Sequence, residues 1–446
     1  MTLTVDAIRE CLEGAVPGNV ATCAADGTPN VAYVSQVHYV DAEHVALSFQ
    51  FFNKTRENVL ANPRVTALVV HPETVARYRL ALEYLRTETE GPLFERMKAK
   101  LAGIASHTGM AGVFRLRGSD VYRVLAIEKV PGPELPAQPR SRNPLAALRA
   151  AAQSIAAATD LDSVLEAALD CLGRSFGIAH AMVLMLDAPR GRLYTVASRG
   201  YDASGVGSEI ALGQGVIGVA ARERTPIRIS HFTSDQAYGR AVRESIALGE
   251  QAGMLGTEIP LPGLAQSASQ LAVPIVAGGR SIGVLYVESP EDSRFGYDDE
   301  DALVALAGQL GTAIVLHQQA AEAGEEPARA ESGKAAVAGP AAVVKHYTAN
   351  DVVFVDDDYL IKGVAGAILW KLVRDYATGQ RTEFTNRELR LDPALRLPDV
   401  SDNLEARLVL LARRLAERCE FLRIEKTGRG RFRLCVTRPL ELVDVT

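Results

Sequence analysis

The sequence predicts a multidomain chain in three parts: a β-rich barrel, an α/β domain, and a helix–helix–helix–hairpin unit. Three observations carry that reading. At 446 residues the chain exceeds one ordinary core, since domains run to roughly 100 to 200 residues. Two stretches change composition: "PGPELPAQPRSRNP" at 131–144, rich in proline, and "AEAGEEPARAESGKAAVAGPAA" at 321–342, rich in Ala, Glu and Gly. Neither offers an apolar face large enough to offset the entropy of ordering, so both read as linkers. The hydrophobic pattern also differs between the three parts: short alternating strands, then mixed helix and strand, then helices with a closing hairpin. The predicted boundaries are a barrel at 1–130, a linker at 131–144, an α/β domain at 145–320, a flexible linker at 321–344 and a terminal domain at 345–446. No internal repeat of fixed period is visible, which excludes a solenoid.

Composition places each part among globular proteins. Hydrophobic residues make up 48% and charged residues 23% of the chain, close to soluble averages. A net charge of −6 gives no general reason to bind nucleic acid or acidic lipid, so charge has to be read region by region. Five cysteines, Cys11, Cys23, Cys171, Cys419 and Cys435, lie far apart without a CxxC pair, which excludes a disulfide framework or a cysteine zinc site and fits a reducing compartment. The opening "MTLTVDAIRECLEG" lacks an apolar signal core and no later run approaches a membrane span. The expectation is a soluble, cytoplasmic protein with no membrane contact.

In the first part, two β-rich runs flank Asp26-Gly27, a hairpin signal, and a third strand, "HVALSFQFF", follows. That strand breaks into Asn53-Lys54-Thr55-Arg56, and a helix-like stretch then runs to Asn62-Pro63. Asn53 or Thr55 can cap this helix by accepting an otherwise unpaired backbone N–H. The same N–H groups attract anions, and Lys54 and Arg56 add positive charge beside them. Local chemistry leaves a plain capped helix and an anion cradle both open. The series "ATCAADGTPNVAYVS", "LSFQFFNKTREN" and "NPRV" resembles the flavin-binding split barrel of the pyridoxamine 5'-phosphate oxidase-like superfamily, over about the first 125 residues. The resemblance implies FMN as cofactor, with Lys54 and Thr55 at its phosphate beside Asn53 and Arg56. Ser35, Gln36, Phe49 and Gln50 would then stand near the flavin ring. Related barrels hold deazaflavin, haem or nothing, so these alternatives stay open. The oxidase's C-terminal Arg and His for the pyridoxal substrate have no counterpart in "GVFRLRGSDVYRV", which argues against vitamin B6 oxidation. The stretch 90–112 reads as a helix and a Gly-containing loop, either an ordinary surface element or a lid that brings His107 or Arg117 to a ligand.

The second part contains two decoys. "GQGVIG" at 213–218 satisfies GxGxxG, with Asp235 near the expected acid position. The strand before it is short, however, and the helix after it stops at Thr225-Pro226, so it is not a dinucleotide site. "GRSIG" at 279–283 matches a nucleophile elbow by letters but reads strand, turn, strand, which makes Ser281 structural. The blocks "LDSVLEAALDCLGRSFGIAHAMVLMLD", "LGQGVIGVAARERTPIRI", "LAVPIVAGGRSIGVLYVES" and "DDEDALVALAGQLGTAIVLHQQA" resemble a GAF domain, over roughly 146–320. The resemblance implies an antiparallel sheet with helices on one face and a small-molecule site, of unknown ligand, on the other. Cys171 falls on an early helix, which disfavours covalent bilin attachment. His180 and His231 are haem-ligand candidates, though a lone histidine is more often a core or solvated residue. The apolar spacing of the first and last helices is compatible with a homodimer.

The third part reads as "LIKGVAGAILWKLVRDYATG", a short helix capped by Thr385, the amphipathic "DNLEARLVLLARRLAERC", and two strands around Gly428 and Gly430. Its final pair resembles the recognition helix and wing of response-regulator-type winged-helix domains. Residues 403–433 hold nine Lys or Arg against four acids. Arg407, Arg413, Arg414, Lys426, Arg429 and Arg431 are therefore DNA-contact candidates, or else a solvated charged face on a partner-docking domain. Spacing shows no paired carboxylates, metal cluster or activated nucleophile, so any redox chemistry would belong to a cofactor. The sequence thus predicts a ligand- or redox-sensing regulator that acts on DNA. The alternative is an FMN-dependent oxidoreductase, or a haem-binding barrel protein, with added regulatory domains.

Overall fold

A computed structural model describes residues 3–12, 16–50, 54–107, 116–136, 143–229, 259–323, 339–395 and 403–445. The N-terminal part opens with a 3-10 segment, Asp6–Leu12, followed by β1 (Gly18–Cys23), β2 (Pro29–Val34), β3 (Val37–Tyr39) and β4 (His44–Phe49). Helix α1 (Lys54–Ala61) leads to β5 (Arg64–Val70) and β6 (Arg77–Glu88), and α2 (Pro92–His107) leads to β7 (Gly118–Val130). The strands form one sheet in the order β2-β1-β5-β6-β7-β4-β3. The Asp26-Gly27 turn joins β1 to β2 as predicted, with Gly27 at φ 86°. The second β-rich run is two strands, broken at Ser35-Gln36. Bulges between Ala81 and Leu82 and between Tyr84 and Arg86 bend the long β6–β7 pair, which curls the sheet. Alternate residues point inward, so Val20, Val45, Leu47, Val65, Ala67, Leu80 and Leu82 fill the barrel. On the outer face, Leu93, Met97 and Leu101 of α2, spaced four apart, pack on Ala46 and Val121.

In the middle part, α3 (Pro144–Ala157) and α4 (Leu161–Arg174) precede β8 (His180–Asp187), β9 (Arg192–Arg199) and β10 (Glu209–Ala211). Next come α5 (Gly215–Glu223), β11 (Ile227–Ile229), β12 (Ser269–Ala277), β13 (Arg280–Ser289) and α6 (Tyr297–Ala323). An Asp160–Ser163 capping box starts α4. All pairings in the sheet β10-β9-β8-β13-β12-β11 are antiparallel. Helices α3, α4 and α6 pack together on one face, and α5 lies on the other.

The C-terminal part differs from its predicted order. It begins with a sheet, β14 (Ala342–Tyr347), β15 (Val352–Val355) and β16 (Asp358–Ile361), before α7 (Gly363–Gly379). Leu360 and Ile361, read as helical, belong to β16; Asp356 and Asp357 at φ 48° and 71° turn the chain back between β15 and β16. Then follow β17 (Glu383–Thr385), α8 (Asn386–Leu391), α9 (Leu404–Arg418), β18 (Leu422–Gly428), β19 (Arg431–Val436) and β20 (Leu440–Val445). Strand β20 pairs parallel with β14, and β17 closes a three-stranded sheet with β19 and β18. Leu408, Leu411 and Leu415 of α9 share one hydrophobic cluster with Leu165 and Leu169 of α4. The middle and C-terminal parts therefore meet through a continuous apolar core.

Candidate functional site

The start of α1 is built by the end of β4 and by β1 and β2 beneath it. Thr55 accepts a hydrogen bond from Asn30 at 2.9 Å, and Asn58 donates to Thr22 at 3.1 Å. These two bonds fix the helix over the β1–β2 hairpin. Lys54 is exposed, and its ammonium makes no hydrogen bond or ion pair among the described residues. Its charge helps hold the Asp26 carboxyl below the usual range, after the larger effect of the Thr28 hydrogen bonds. Arg56 points the other way. It pairs with Asp120, donates to Thr87 at 2.8 Å, and lies 4.6 Å from the Phe49 ring centroid and 5.6 Å from that of Tyr84. Arg56 thus ties α1 to β6 and β7. Asn53 lies outside the described residues.

Next to this helix start, the strands carry buried polar groups with unused hydrogen-bonding capacity. Gln36 and Ser119 face the same side as Ser48, because Gln36 sits across from Ser48 and Ser48 is paired with Ser119. Gln50 donates to Ser35 at 2.9 Å and leaves its carbonyl oxygen unpartnered. Both amide atoms of Gln36 and the Ser119 hydroxyl are also buried without a partner among the described residues. Buried polar groups are normally hydrogen-bonded, so a cluster of orphans is informative. Gln50 joins Ser35 and Ser48, and Gln36 lies across from Ser48, whereas Phe49, next in the strand, turns to the other face under Arg56; Ser119 was missed because it lies far away in sequence. Arg117 is exposed and its backbone N–H bonds Phe49 O at 2.8 Å. The His107 side chain is outside the described residues.

The C-terminal cations are placed differently. Arg407 and Asp187 form an ion pair at 2.7 Å with both side chains only 5% exposed, and the guanidinium stacks 3.8 Å over the Tyr194 ring. Arg413 reaches Asp162 and Glu166, both at 2.7 Å. Arg414 is buried and donates to Leu360 O at 2.9 Å; burial, then neighbouring Arg418, lowers its pKa. Lys426 pairs with Glu405 and approaches Asp160 at 3.9 Å. Arg429 is exposed and Arg431 half-buried. Three of the six candidates thus reach carboxylates of the middle part. Asp160, Asp162, Glu166 and Asp187 had no signal in the sequence that could link them to α9 or β18.

Between barrel and middle part, Tyr297 at the start of α6 is surrounded by cations. The Arg9, Arg228 and Lys100 charges lie 4.2, 4.6 and 4.7 Å from its ring centroid. Arg9 pairs with Asp301 at 2.5 Å and Arg228 with Glu300 at 2.7 Å. His38, buried under α2, has its pKa pushed well below the usual value by burial and then by Lys100, Arg96, Arg228 and Arg9.

The two decoys have structural roles. A Cβ at Gly218 would collide with the Ala211 carbonyl, and the helix that begins at Gly215 is only nine residues long. Ser281 lies on the β12–β13 hairpin, after a Gly278-Gly279 turn at φ 55° and 73°. His231 is outside the described residues, and His180 packs against Tyr201 with centroids 5.6 Å apart. All five cysteines are free. Burial raises the thiols of Cys11 to about 12 and of Cys419 and Cys435 to about 11, so these three are unreactive thiols at neutral pH. Among the described residues, no helix is long and apolar enough to cross a membrane.

Comparison with known proteins assigns two of the parts. Residues 4–126 match the pyridoxamine 5'-phosphate oxidase family and residues 158–315 match the GAF domain. The chain therefore carries an oxidase-like N-terminal domain followed by a GAF domain. A 70-residue stretch, 15% of the chain, is 34% identical to an uncharacterized protein of Methanocaldococcus jannaschii and spans 47% of that protein, about half its length. Among solved structures, the GAF domain of an Acinetobacter phosphoenolpyruvate-protein phosphotransferase is 21% identical, with a TM-score of 0.31, over 41% of this chain and 96% of that one. An FMN-binding protein from Syntrophomonas wolfei is 18% identical, with a TM-score of 0.24, over 28% of this chain and 84% of that one. Likenesses at this level carry no functional argument.

Proposed function

We propose that the chain is a sensor-regulator in which the GAF domain holds a C-terminal winged-helix, DNA-binding unit by the cations that would otherwise meet DNA phosphates. The observation that carries this reading is the seating of Arg407, Arg413 and Lys426 on Asp187, Asp162, Glu166 and Asp160. The element order α7, α8, α9 and the β18–β19 hairpin, closed by β17, supports a winged helix. Arg429 at the hairpin tip remains exposed for a phosphate. Ligand binding that favours an undocked arrangement would release the remaining cations, since a ligand shifts an equilibrium only by its differential affinity. The barrel would hold FMN, with the Lys54 ammonium and Thr55 at the phosphate. The orphaned groups of Gln36, Gln50 and Ser119 would meet the polar edge of the ring. Bound flavin would supply reversible redox chemistry, which the titratable side chains at this site do not offer. Exposed Val31 and Tyr33 on β2, with Leu145, Val304 and Leu316 on α3 and α6, support a homodimer.

The absorbance spectrum of purified protein tests the cofactor: flavin bands, or reconstitution with FMN, are expected, and a Soret band or failure to reconstitute contradicts it. Binding to the DNA upstream of the chain's own gene tests the output; no binding at low salt by the wild type or by variants with the carboxylates neutralised would refute it. The docked cations also favour a second reading, a flavin-dependent oxidoreductase whose C-terminal unit docks to protein alone.

A further inference from the structure

Strand β20 stands at the edge of its sheet, paired in parallel with β14. Residues 437–439 alone join it to β19, so whatever holds β20 also anchors the β18–β19 hairpin. In the ladder, His346 of β14 stands opposite Asp444 of β20 on one side and Val353 of β15 on the other. Its side chain is 6% exposed, and both ring nitrogens face carboxylates: Nδ1 lies 3.2 Å from Asp444 and Nε2 3.3 Å from Asp351. From α7, the Trp370 ring stacks on the imidazole, with centroids 4.8 Å apart and planes at 14°. Asp351, in the turn before β15, has φ 50°, and its carbonyl oxygen would stand 1.9 Å from a Cβ at Gly366 of α7. The nearby cations are directed elsewhere. Lys345 points to the opposite face of β14 and pairs with Asp357, Lys371 of α7 pairs with Asp375 and Asp392, and Arg374 is exposed.

A neutral imidazole donates from one nitrogen only, so it would turn a lone pair toward one of the two carboxylates. The imidazolium donates from both. Two carboxylates within hydrogen-bond distance favour that charge, and the indole face beside it adds a cation–π attraction. An aspartate tolerates the left-handed backbone region at some cost, and such a conformation persists where its surroundings fix it. Gly366 admits the Asp351 carbonyl, and the turn thereby aims the Asp351 carboxylate at Nε2. We propose that His346 is a proton-dependent clasp. As the imidazolium it ties β20 to the β14–β15 turn; loss of its proton to solvent leaves one carboxylate without a donor and loosens the strand that anchors the β18–β19 hairpin. The inference concerns protonation within the C-terminal part, so its failure would leave the DNA and flavin readings standing.

Trp370 is the one tryptophan of the chain, so tryptophan fluorescence reads this stack alone. A protonated imidazole against an indole quenches its emission more strongly than a neutral one. The full-length wild type, titrated from pH 5 to 9, should therefore brighten with pH in a single one-proton step, and H346Q should lose that step. D444N and D351N keep both the histidine and the tryptophan. Each should move the step to lower pH by about 0.5 to 1 pH unit, the scale of removing one of two partly exposed counter-charges. In hydrogen exchange, the amides of β20 should open more readily relative to those of β16 above the step than below it, an arm that needs no variant. No step in the wild type, a step that survives in H346Q, an unchanged midpoint in both carboxylate variants, or an equal exchange ratio on the two sides of the step would each overturn the proposal.

Discussion

Cations on α1 and cations on α9 meet opposite fates. Lys54 stands exposed at a helix start with no ion pair among the described residues, beside a strip of unpartnered polar atoms. Arg407, only 5% exposed, is paired with a carboxylate 220 residues away and stacked on a tyrosine. In sequence both were basic residues on a polar helical stretch, equally fit for phosphate. Whether such a charge awaits an external anion or has found an internal one depends on which carboxylates the fold brings near it. Arg56 makes the point within one turn of α1: two residues from Lys54, it is already satisfied by Asp120.

Breaking the buried pair should have the largest effect. Among the described residues, Arg407→Ala leaves buried Asp187 with only Arg190, whose guanidinium is 4.0 Å away and whose backbone N–H donates at 3.3 Å, a loss of about 3 kcal/mol. Chemical denaturation should show that loss, and hydrogen exchange should show faster opening of α9. Lys54→Ala should leave stability unchanged and weaken FMN by ~30-fold, the equivalent of about 2 kcal/mol for a charge-assisted contact, measured by flavin fluorescence titration. Arg56→Ala should instead lower the unfolding midpoint, because its partner Asp120 is buried.

At the barrel–GAF seam the folded His38 ring binds its proton less tightly than the unfolded ring. The unfolded chain therefore holds more protons below the ordinary histidine pKa of about 6.5, so stability is full above that pH and declines as pH falls below it. His38→Leu should remove this decline, as read from urea midpoints at pH 7.5 and 5.5. The smallest effect belongs to Arg413→Ala. Its partners Asp162 and Glu166 are 54% and 46% exposed, so the change should cost no more than ~1 kcal/mol and should shrink in high salt.

Local signals made much of the fold legible. Asp26-Gly27 marked a turn, Thr385 a helix start, and Gly278-Gly279 a hairpin that excluded a nucleophile at Ser281. The sheet β14–β16 was missed although "AVVKHY" and "VVFV" are β-rich, because Leu360 and Ile361 were read into the helix across Lys362-Gly363, where Gly363 at φ 67° separates β16 from α7. Only the positive φ at Asp356 and Asp357 shows where the chain turns back. Long-range partners were not legible at all: nothing near Asp187 or Asp120 in sequence points to Arg407 or Arg56.

The most direct test of the central claim is the salt dependence of DNA binding by the wild type and by D160N/D162N/E166Q, in which the amide side chain introduced at position 160 can still cap α4. Each cation freed to meet a phosphate adds about 0.9 to the slope of log affinity against log salt. Release of Arg413, whose two carboxylate partners are both neutralised, should make the variant bind more tightly at low salt, with a slope steeper by about 1. Equal affinity and equal slope for the two proteins would contradict the claim that GAF carboxylates hold a DNA-binding surface.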